Sequence, residues 1–215
     1  MSFLPISLRV EGSRCVVFGT DEEAARRVRS LTDAGASIVV IGDKGDSAFE
    51  GLCSKLKVVE RELRRYRKGD LKDAALVFVC GPDAPTEEIA AEAAERSLLM
   101  NVADVPQRCS FIMPAVHRQG AVVVAVSTAG ASPALARRVR DQIATQIGPE
   151  YGQAAELLAS LRERFAGGAE RGLAFARLLD EGLLEALRSG DAARVERLTE
   201  RAGIELKRGS RGRGA

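Results

Sequence analysis

Two short runs of β-branched and apolar residues, Arg14–Gly19 and Ser37–Gly42, flank a stretch with helical spacing, and this constrains the chain more than any other feature. Between Asp21 and Gly35 the apolar positions Ala24, Ala25, Val28, Leu31 and Ala34 recur at that spacing, and Gly35 supplies a C-terminal stop. Strands that read as continuous apolar runs are buried on both faces, as in a parallel sheet covered by helices. Strand, helix and strand within about thirty residues form a βαβ unit, which crosses over right-handed.

The alternation continues. Leu56–Leu63 reads as a third strand, Arg64–Lys72 as a polar, turn-rich connection, and Ala74–Cys80 as a fourth buried strand broken by Gly81-Pro82-Asp83. Thr86–Ser97 is an Ala/Glu helix with Thr86 as its expected cap, and Leu98–Val102 is a fifth strand leading to Asp104. The expected fold class is α/β, with a Rossmann-like parallel-sheet domain over residues 1–113. A small α+β region over 114–147 should follow. There Gly120–Val126 is a strand, Ser127–Ala131 a small-residue loop, and Ser132-Pro133 the start of a helix. That helix carries Leu135, Val139, Ile143 and Ile147 on one face and Arg137, Arg138 and Arg140 largely on another. Residues 148–206 read as a helical C-terminal domain, from Tyr151 in three segments parted near Gly167-Gly168 and Ser189-Gly190. The Gly/Arg-rich stretch 207–215 is an expected disordered tail.

Composition narrows the function classes. A net charge of +2, no Trp and two Tyr give little for stacking nucleic-acid bases, so no nucleic-acid partner is expected. The start Met1–Ile6 lacks the pattern of a signal peptide, and no apolar run reaches spanning length. The expected compartment is the cytoplasm, with no membrane partner. Cys15, Cys53, Cys80 and Cys109 include no Cys-x-x-Cys pair, and His117 is the single histidine, so no metal site is expected. Cys15 and Cys80 read as buried hydrophobes, and His117 as a surface or interface residue.

Four places carry chemistry. The first strand–helix turn, Gly19-Thr20-Asp21-Glu22-Glu23-Ala24, stands where a dinucleotide fingerprint has Gly-x-Gly-x-x-Gly/Ala. Gly19 permits the tight turn and Ala24 close packing, but three carboxylates occupy the helix start where a phosphate binds. The turn reads either as a cofactor site or as a capped helix. Asp43 follows the second strand, where an acid roughly twenty residues on binds the ribose 2′-hydroxyl; Lys44 beside it suits a phosphate, and a solvated turn is the other reading. Asp104 lies beyond a strand end, where an open α/β sheet does its chemistry, and reads as a general acid or base or as an Asx-turn. Ser127, Thr128 and Ser132, with Arg137, Arg138 and Arg140, can bind an anion or simply cap and solvate the helix. The Arg64, Arg65, Arg67 and Lys68 cluster reads as solvated loop.

Several segments together resemble one family. These are Leu4-Pro5-Ile6 before the first strand, Leu31-x-x-Ala34-Gly35-Ala36, Asn101-Val102-x-Asp104 and Ser110-Phe111-Ile112-Met113-Pro114. Val124-Ala125-Val126-Ser127-Thr128-x-Gly130-x-Ser132-Pro133-x-Leu135-Ala136-Arg137 completes the set. Over residues 3–147 the chain resembles the precorrin-2 dehydrogenase, or N-terminal siroheme synthase, family. The resemblance implies an NAD-dependent enzyme of siroheme and cobalamin biosynthesis that oxidises precorrin-2 to sirohydrochlorin; some members also insert ferrous iron. It further implies a homodimer built through the region 114–147, with Asp104 as acid/base. Ser127, Thr128, Arg137, Arg138 and Arg140 become candidate contacts for a carboxylate-rich tetrapyrrole. Gly19, Thr20, Asp21, Glu22, Glu23, Asp43 and Lys44 would line the cofactor. The chain departs from the family where a run of glycines is replaced by Gly19-Thr20-Asp21. It departs again where Ala-Thr-Asp-Asp followed by Asn is replaced by Cys80-Gly81-Pro82-Asp83 and Thr86, and Thr128 stands where serine is frequent. The first two departures fall on the cofactor side. Two other readings therefore stand beside the dehydrogenase: a sirohydrochlorin chelatase with weak or lost NAD use, and a non-catalytic Rossmann module that senses a nucleotide or tetrapyrrole.

Overall fold

The structure is a computed structural model that describes residues 3–56, 59–162 and 168–201. The chain divides into two compact units, residues 1–113 and 114–215. In the first, the elements run β1 (Arg14–Phe18), α1 (Glu22–Asp33), β2 (Ser37–Ile41), α2 (Ser47–Lys55), β3 (Val59–Glu62), β4 (Leu76–Val79), α3 (Thr86–Glu95) and β5 (Leu99–Val102), then a 3-10 turn at Pro106–Arg108. All five strands are parallel, in the order β3-β2-β1-β4-β5. The order reverses between β1 and β4, and ligands of such sheets bind beyond the carboxyl ends at that point.

The strand sequences are apolar throughout because both faces are covered. Cys15, Val17, Ile38, Val40, Leu76 and Phe78 pack with Ala24, Val28 and Leu31 of α1 and Phe49 and Cys53 of α2. The alternate residues Val16, Phe18, Val39, Ile41, Val77 and Val79 pack with Ile89 and Ala93 of α3 and with Leu71 and Ala74. One-residue alternation across a pleated strand sends each set to its own layer.

Some elements differ from expectation. Helix α2 was not expected, because only Phe49 and Cys53 are buried on it and two positions make no visible period. Asp46 caps it, accepting from the Phe49 N–H at 2.8 Å. Thr86 is not a cap: Pro85 holds that position, and the Thr86 hydroxyl turns back to donate to the Ala84 carbonyl at 3.2 Å. The connection 64–72 is more than solvated loop. Arg64 grips both carboxylate oxygens of Asp70 at 2.9 and 2.8 Å, while Arg65, Arg67 and Lys68 are exposed. The buried Glu92 carboxylate accepts from the Tyr66 hydroxyl at 2.7 Å and the Gly69 N–H at 2.9 Å.

The second unit opens with an antiparallel hairpin, β6 (Ala115–Gln119) and β7 (Val122–Val126), followed by α4 (Pro133–Ala144). Strand β6 was not expected, since Ala-Val-His-Arg-Gln puts its two apolar residues side by side and its three polar ones after them, with no period of two. His117 on it is tied down, its Nε2 lying 2.7 Å from the Ile147 carbonyl beyond the end of α4. Leu135 is 53% exposed, Ala136 is the buried residue of α4, and Val139, Ile143 and Ile147 are half-buried. Four further helices follow, α5 (Pro149–Leu161), α6 (Gly168–Asp180), α7 (Leu183–Ser189) and α8 (Ala192–Arg201), where three were expected. The extra break is at Gly182, whose φ of +94° suits glycine; the expected break at Gly190 is present, with φ +70°. Helix α5 lies close on the hairpin turn: a Cβ added at Gly152 would stand 2.9 Å from the Gln119 carbonyl oxygen. Gly167 and the tail 207–215 lie outside the described residues. No described helix is long and apolar enough to cross a membrane.

Candidate active site

The crevice at the β1/β4 switch point is lined by two turns pressed together. Gly19 has φ +108°, and a Cβ there would collide with the Cys80 carbonyl. The Gly19 N–H donates to the Ile41 carbonyl at 3.0 Å, and the Cys80 N–H to the Phe18 carbonyl at 2.7 Å. Glycine at 19 is therefore required by steric contact. Asp21 caps α1, its Oδ1 accepting from the Ala24 N–H at 2.8 Å. Glu22 and Glu23 fold along the helix instead of over its start: Arg26 bonds Glu22 at 2.6 Å and Glu23 at 2.9 Å, and Arg27 pairs with Glu23. The hydrogen bond to Glu23 holds the Arg26 guanidinium above its ordinary pKa. A Cβ added at Gly81 would lie 3.6 Å from Asp21 Oδ2. The two departures from the family pattern, Asp21 and Gly81, are thus neighbours in space. Burial, with the charge of Asp21 nearby, pushes the Cys80 thiol up to about 12, so it remains protonated.

Asp43 and Lys44 are exposed on the turn after β2, and Thr20 is half-buried. That turn is braced from β3. Arg61 Nη2 donates to Glu50 Oε1 at 2.9 Å and to the Asp43 carbonyl at 3.3 Å, and the Gly45 N–H donates to the same Glu50 oxygen at 2.8 Å. The Arg61 guanidinium carbon lies 5.3 Å from the Phe49 ring centroid. Sequence reading missed both Glu50 and Arg61, because eleven residues apart across a helix and a strand they fall under no spacing rule.

Asp104 stands on a closed loop that leaves β5 and returns alongside it. Ser110 makes the closure: its Oγ accepts from the Met100 N–H at 2.7 Å, and its own N–H donates to the Met100 carbonyl at 2.9 Å. The Asn101 side-chain amide donates to the Phe111 carbonyl at 3.0 Å. Cys109 Sγ accepts from the Val102 N–H at 3.2 Å and lies 3.2 and 3.4 Å from the Val102 and Val105 carbonyls, so its S–H can donate to either. Phe111 then sets its ring edge-on to Phe78, centroids 5.5 Å apart. At the tip, Asp104 is exposed and has φ +58°, a conformation uncommon for a residue with a Cβ. An Asx-turn to the second residue on is chemically closed to it, since that residue is Pro106 and has no N–H. The motif residues Asn101, Ser110 and Phe111 serve the loop, and the loop presents the carboxylate. The role of Cys109 was not legible in sequence, where it counted as one of four unpaired cysteines.

In the second unit, Thr128 Oγ1 accepts from the Ser132 N–H and donates to its carbonyl, both at 3.0 Å, and Ser127 Oγ accepts from the Ala129 N–H at 3.1 Å. Ser132 caps α4 through the Leu135 N–H at 3.2 Å. These hydroxyls shape the loop, in which Ala129 and Gly130 both have positive φ. Arg140 is committed to Asp141 at 2.6 Å and to the Val116 carbonyl at 3.3 Å, whereas Arg137 and Arg138 are exposed.

Residues 6–115 match the family model described as "Putative NAD(P)-binding", and residues 120–146 match that of the sirohaem biosynthesis protein central region. The siroheme synthase of Nitrosococcus oceani is 31% identical over 94% of this chain and 44% of its own length. That of Ectopseudomonas mendocina is 38% identical over 76% of this chain and 35% of its own. The chain thus spans less than half the length of these relatives. The solved structure of SirC, a precorrin-2 dehydrogenase, superposes with a TM-score of 0.75 at 18% identity, covering 94% of this chain and 99% of that one. The chain thus belongs to the family described as putative NAD(P)-binding, with the sirohaem biosynthesis central region following it in the same chain.

Proposed function

We propose that the chain dehydrogenates precorrin-2 to sirohydrochlorin with NAD, as a cytoplasmic homodimer, with Asp104 as the acid/base. The observation that carries this reading is the braced loop 100–111, which spends four residues on holding one exposed carboxylate beyond the end of β5. The residues at the switch point fit a dinucleotide. Gly19 makes the tight turn, and the first-turn N–H groups of Glu22 and Glu23 have no hydrogen-bond partner among the described residues. Such groups at a helix start favour a phosphate, and the neighbouring carboxylates are drawn back onto Arg26 and Arg27.

NAD, when bound, supplies the hydride acceptor. Removing two hydrogens from the substrate leaves a proton to dispose of once the hydride has gone, and the Asp104 carboxylate takes it. Asp43 accepts the ribose 2′-hydroxyl on this reading, and Thr20 and Lys44 border the cofactor. Ser127, Thr128, Arg137, Arg138 and Arg140 are the substrate-binding residues on this reading. Arg137 and Arg138, exposed and without a partner among the described residues, hold substrate carboxylates, while Arg140 and the two hydroxyls also keep the loop and hairpin in shape. The deciding experiment supplies precorrin-2 and NAD to the purified chain and follows sirohydrochlorin and NADH together. Stoichiometric appearance of both is expected; failure of NAD to bind at millimolar concentration would sink the dehydrogenase. One observation favours a second reading. The Asp21 carboxylate already occupies a helix-start N–H, which suits a sirohydrochlorin chelatase that uses NAD weakly. Metal insertion into sirohydrochlorin by a chain that does not bind NAD would select it.

A further inference from the structure

The Glu50–Arg61 pair behind the β2 turn has no place in the reaction described, and its chemistry is unusual for a surface ion pair. Arg61 lies on β3 beside Val40, one residue from the strand's end, and its side chain is only 15% exposed. Among the described residues, of its three guanidinium nitrogens only Nη2 is satisfied; Nε and Nη1 are buried without a hydrogen-bond partner. A buried donor left unpaired is costly, so a guanidinium held this way is a cation with spare hydrogen-bonding capacity. Glu50 Oε1 neutralises it and, through the Gly45 N–H, shapes the turn that carries Asp43.

We propose that Glu50 and Arg61 set the choice between the 2′-hydroxyl and the 2′-phosphate forms of the cofactor, by masking a buried cation next to Asp43. This rests on the dinucleotide reading given above. At the end of β2 an acid selects the ribose 2′-hydroxyl, whereas a nearby arginine accommodates a 2′-phosphate. Here both are present, Asp43 on the turn after β2 and Arg61 on the neighbouring strand β3, joined by a hydrogen bond from Arg61 to the Asp43 carbonyl. With its charge satisfied by Glu50, Arg61 acts as a positioning residue for the Asp43 turn and not as a phosphate ligand. Lys44, exposed beside Asp43, lacks such a mask but is a flexible point charge that cannot offer a bidentate fork.

Glu50→Gln tests this cleanly. The amide oxygen can still accept from the Gly45 N–H and from Arg61, so the turn keeps its shape while the masking charge is lost. Dissociation constants for NAD and for NADP, measured by titration calorimetry on the whole chain without tetrapyrrole, give a ratio for each variant. The unmutated chain should prefer NAD. E50Q should move the ratio toward NADP by about tenfold, the size of one short-range charge interaction near a protein surface. The double variant E50Q/R61Q should return it, because the unmasked cation is then gone. A purely structural pair would weaken both cofactors together and leave the ratio fixed, and that result overturns the inference. Thermal melts of each variant confirm that folded protein was titrated. If the unmutated chain binds neither dinucleotide, the dinucleotide reading fails and this inference with it; if it binds NAD and E50Q leaves the ratio unmoved, this inference alone fails.

Discussion

At Asp104 the backbone works against the residue's ordinary preference. A φ of +58° places it in the left-handed region that asparagine, aspartate and glycine tolerate, and strain of this kind is kept where the surrounding structure over-determines it. Its surroundings do so: bonds from Ser110, Cys109 and Asn101 fix the chain on both sides of the tip. A carboxylate placed for proton transfer contributes about 10²–10⁴-fold to turnover, so Asp104→Asn should lower kcat by that order. Asparagine tolerates the same φ, so the loop should keep its shape. Calorimetry should therefore find the NAD dissociation constant unchanged while sirohydrochlorin formation collapses. Turnover within a few-fold of the unmutated chain would remove Asp104 from the chemistry.

At the level of elements, the loop 100–111 behaves as a return strand that pairs by side chains instead of a ladder. Ser110 alone satisfies both the N–H and the carbonyl of Met100. Replacing it with alanine leaves the Met100 N–H unpaired, at a cost of about 1–3 kcal/mol, and should lower the midpoint of urea unfolding accordingly. The same change should reduce kcat more than KM, since it loosens the acid/base and not a substrate contact. The buried strands and α1 were legible because burial on two faces writes itself as unbroken apolar runs and helical spacing. Helix α2, with two buried residues, and β6, with two adjacent apolar residues followed by three polar ones, wrote no such pattern. The site divides in the same way. Asp104 could be nominated from its motif, but the bonds around it and around the Asp43 turn could not: a thiol accepting from a backbone N–H, or a glutamate and an arginine meeting across two elements, leaves no mark in spacing. Asp21 could be read as an acid in the wrong place, yet its proximity to Gly81 required the fold.

Across the whole molecule, two places can be tested, one for stability and one for self-association. One is the buried carboxylate of Glu92. Burial raises its pKa, but the Tyr66 hydroxyl, the Gly69 N–H and Arg96 outweigh that and hold it below the ordinary carboxylate value. A group whose folded pKa is depressed stabilises the fold above its unfolded value, here 4.5, and loses that contribution as pH falls through the folded one. Asp70, lowered despite its own burial by Arg64 and the Arg67 N–H, acts with the same sign but from its own lower ordinary value of 3.8 downward. Glu92→Gln should therefore lose stability at neutral pH and fall less steeply than the unmutated chain below pH 4.5, as read from unfolding midpoints across that range.

The other place is the outer face of the β6–β7 hairpin. Register puts Val116 opposite Ala125 and Arg118 opposite Val123 on one face, and Val116 and Val123 are 37% and 45% exposed. A two-stranded sheet is marginal alone, and the inner face here is covered by α4 and α5. The outer face keeps apolar side chains and two unpaired strand edges in reach of a partner. A two-fold axis suits such a patch, since one hairpin can present the same face to another copy of itself. The unmutated chain should therefore run in light scattering at twice its 22.9 kDa mass. Val123→Glu places a charge in the centre of that face, opposite Arg118, where the hairpin itself can tolerate it. It should shift the protein to monomer without changing its circular dichroism. A dimer that persists in V123E would move the interface elsewhere, and the apolar outer face would then need a different explanation.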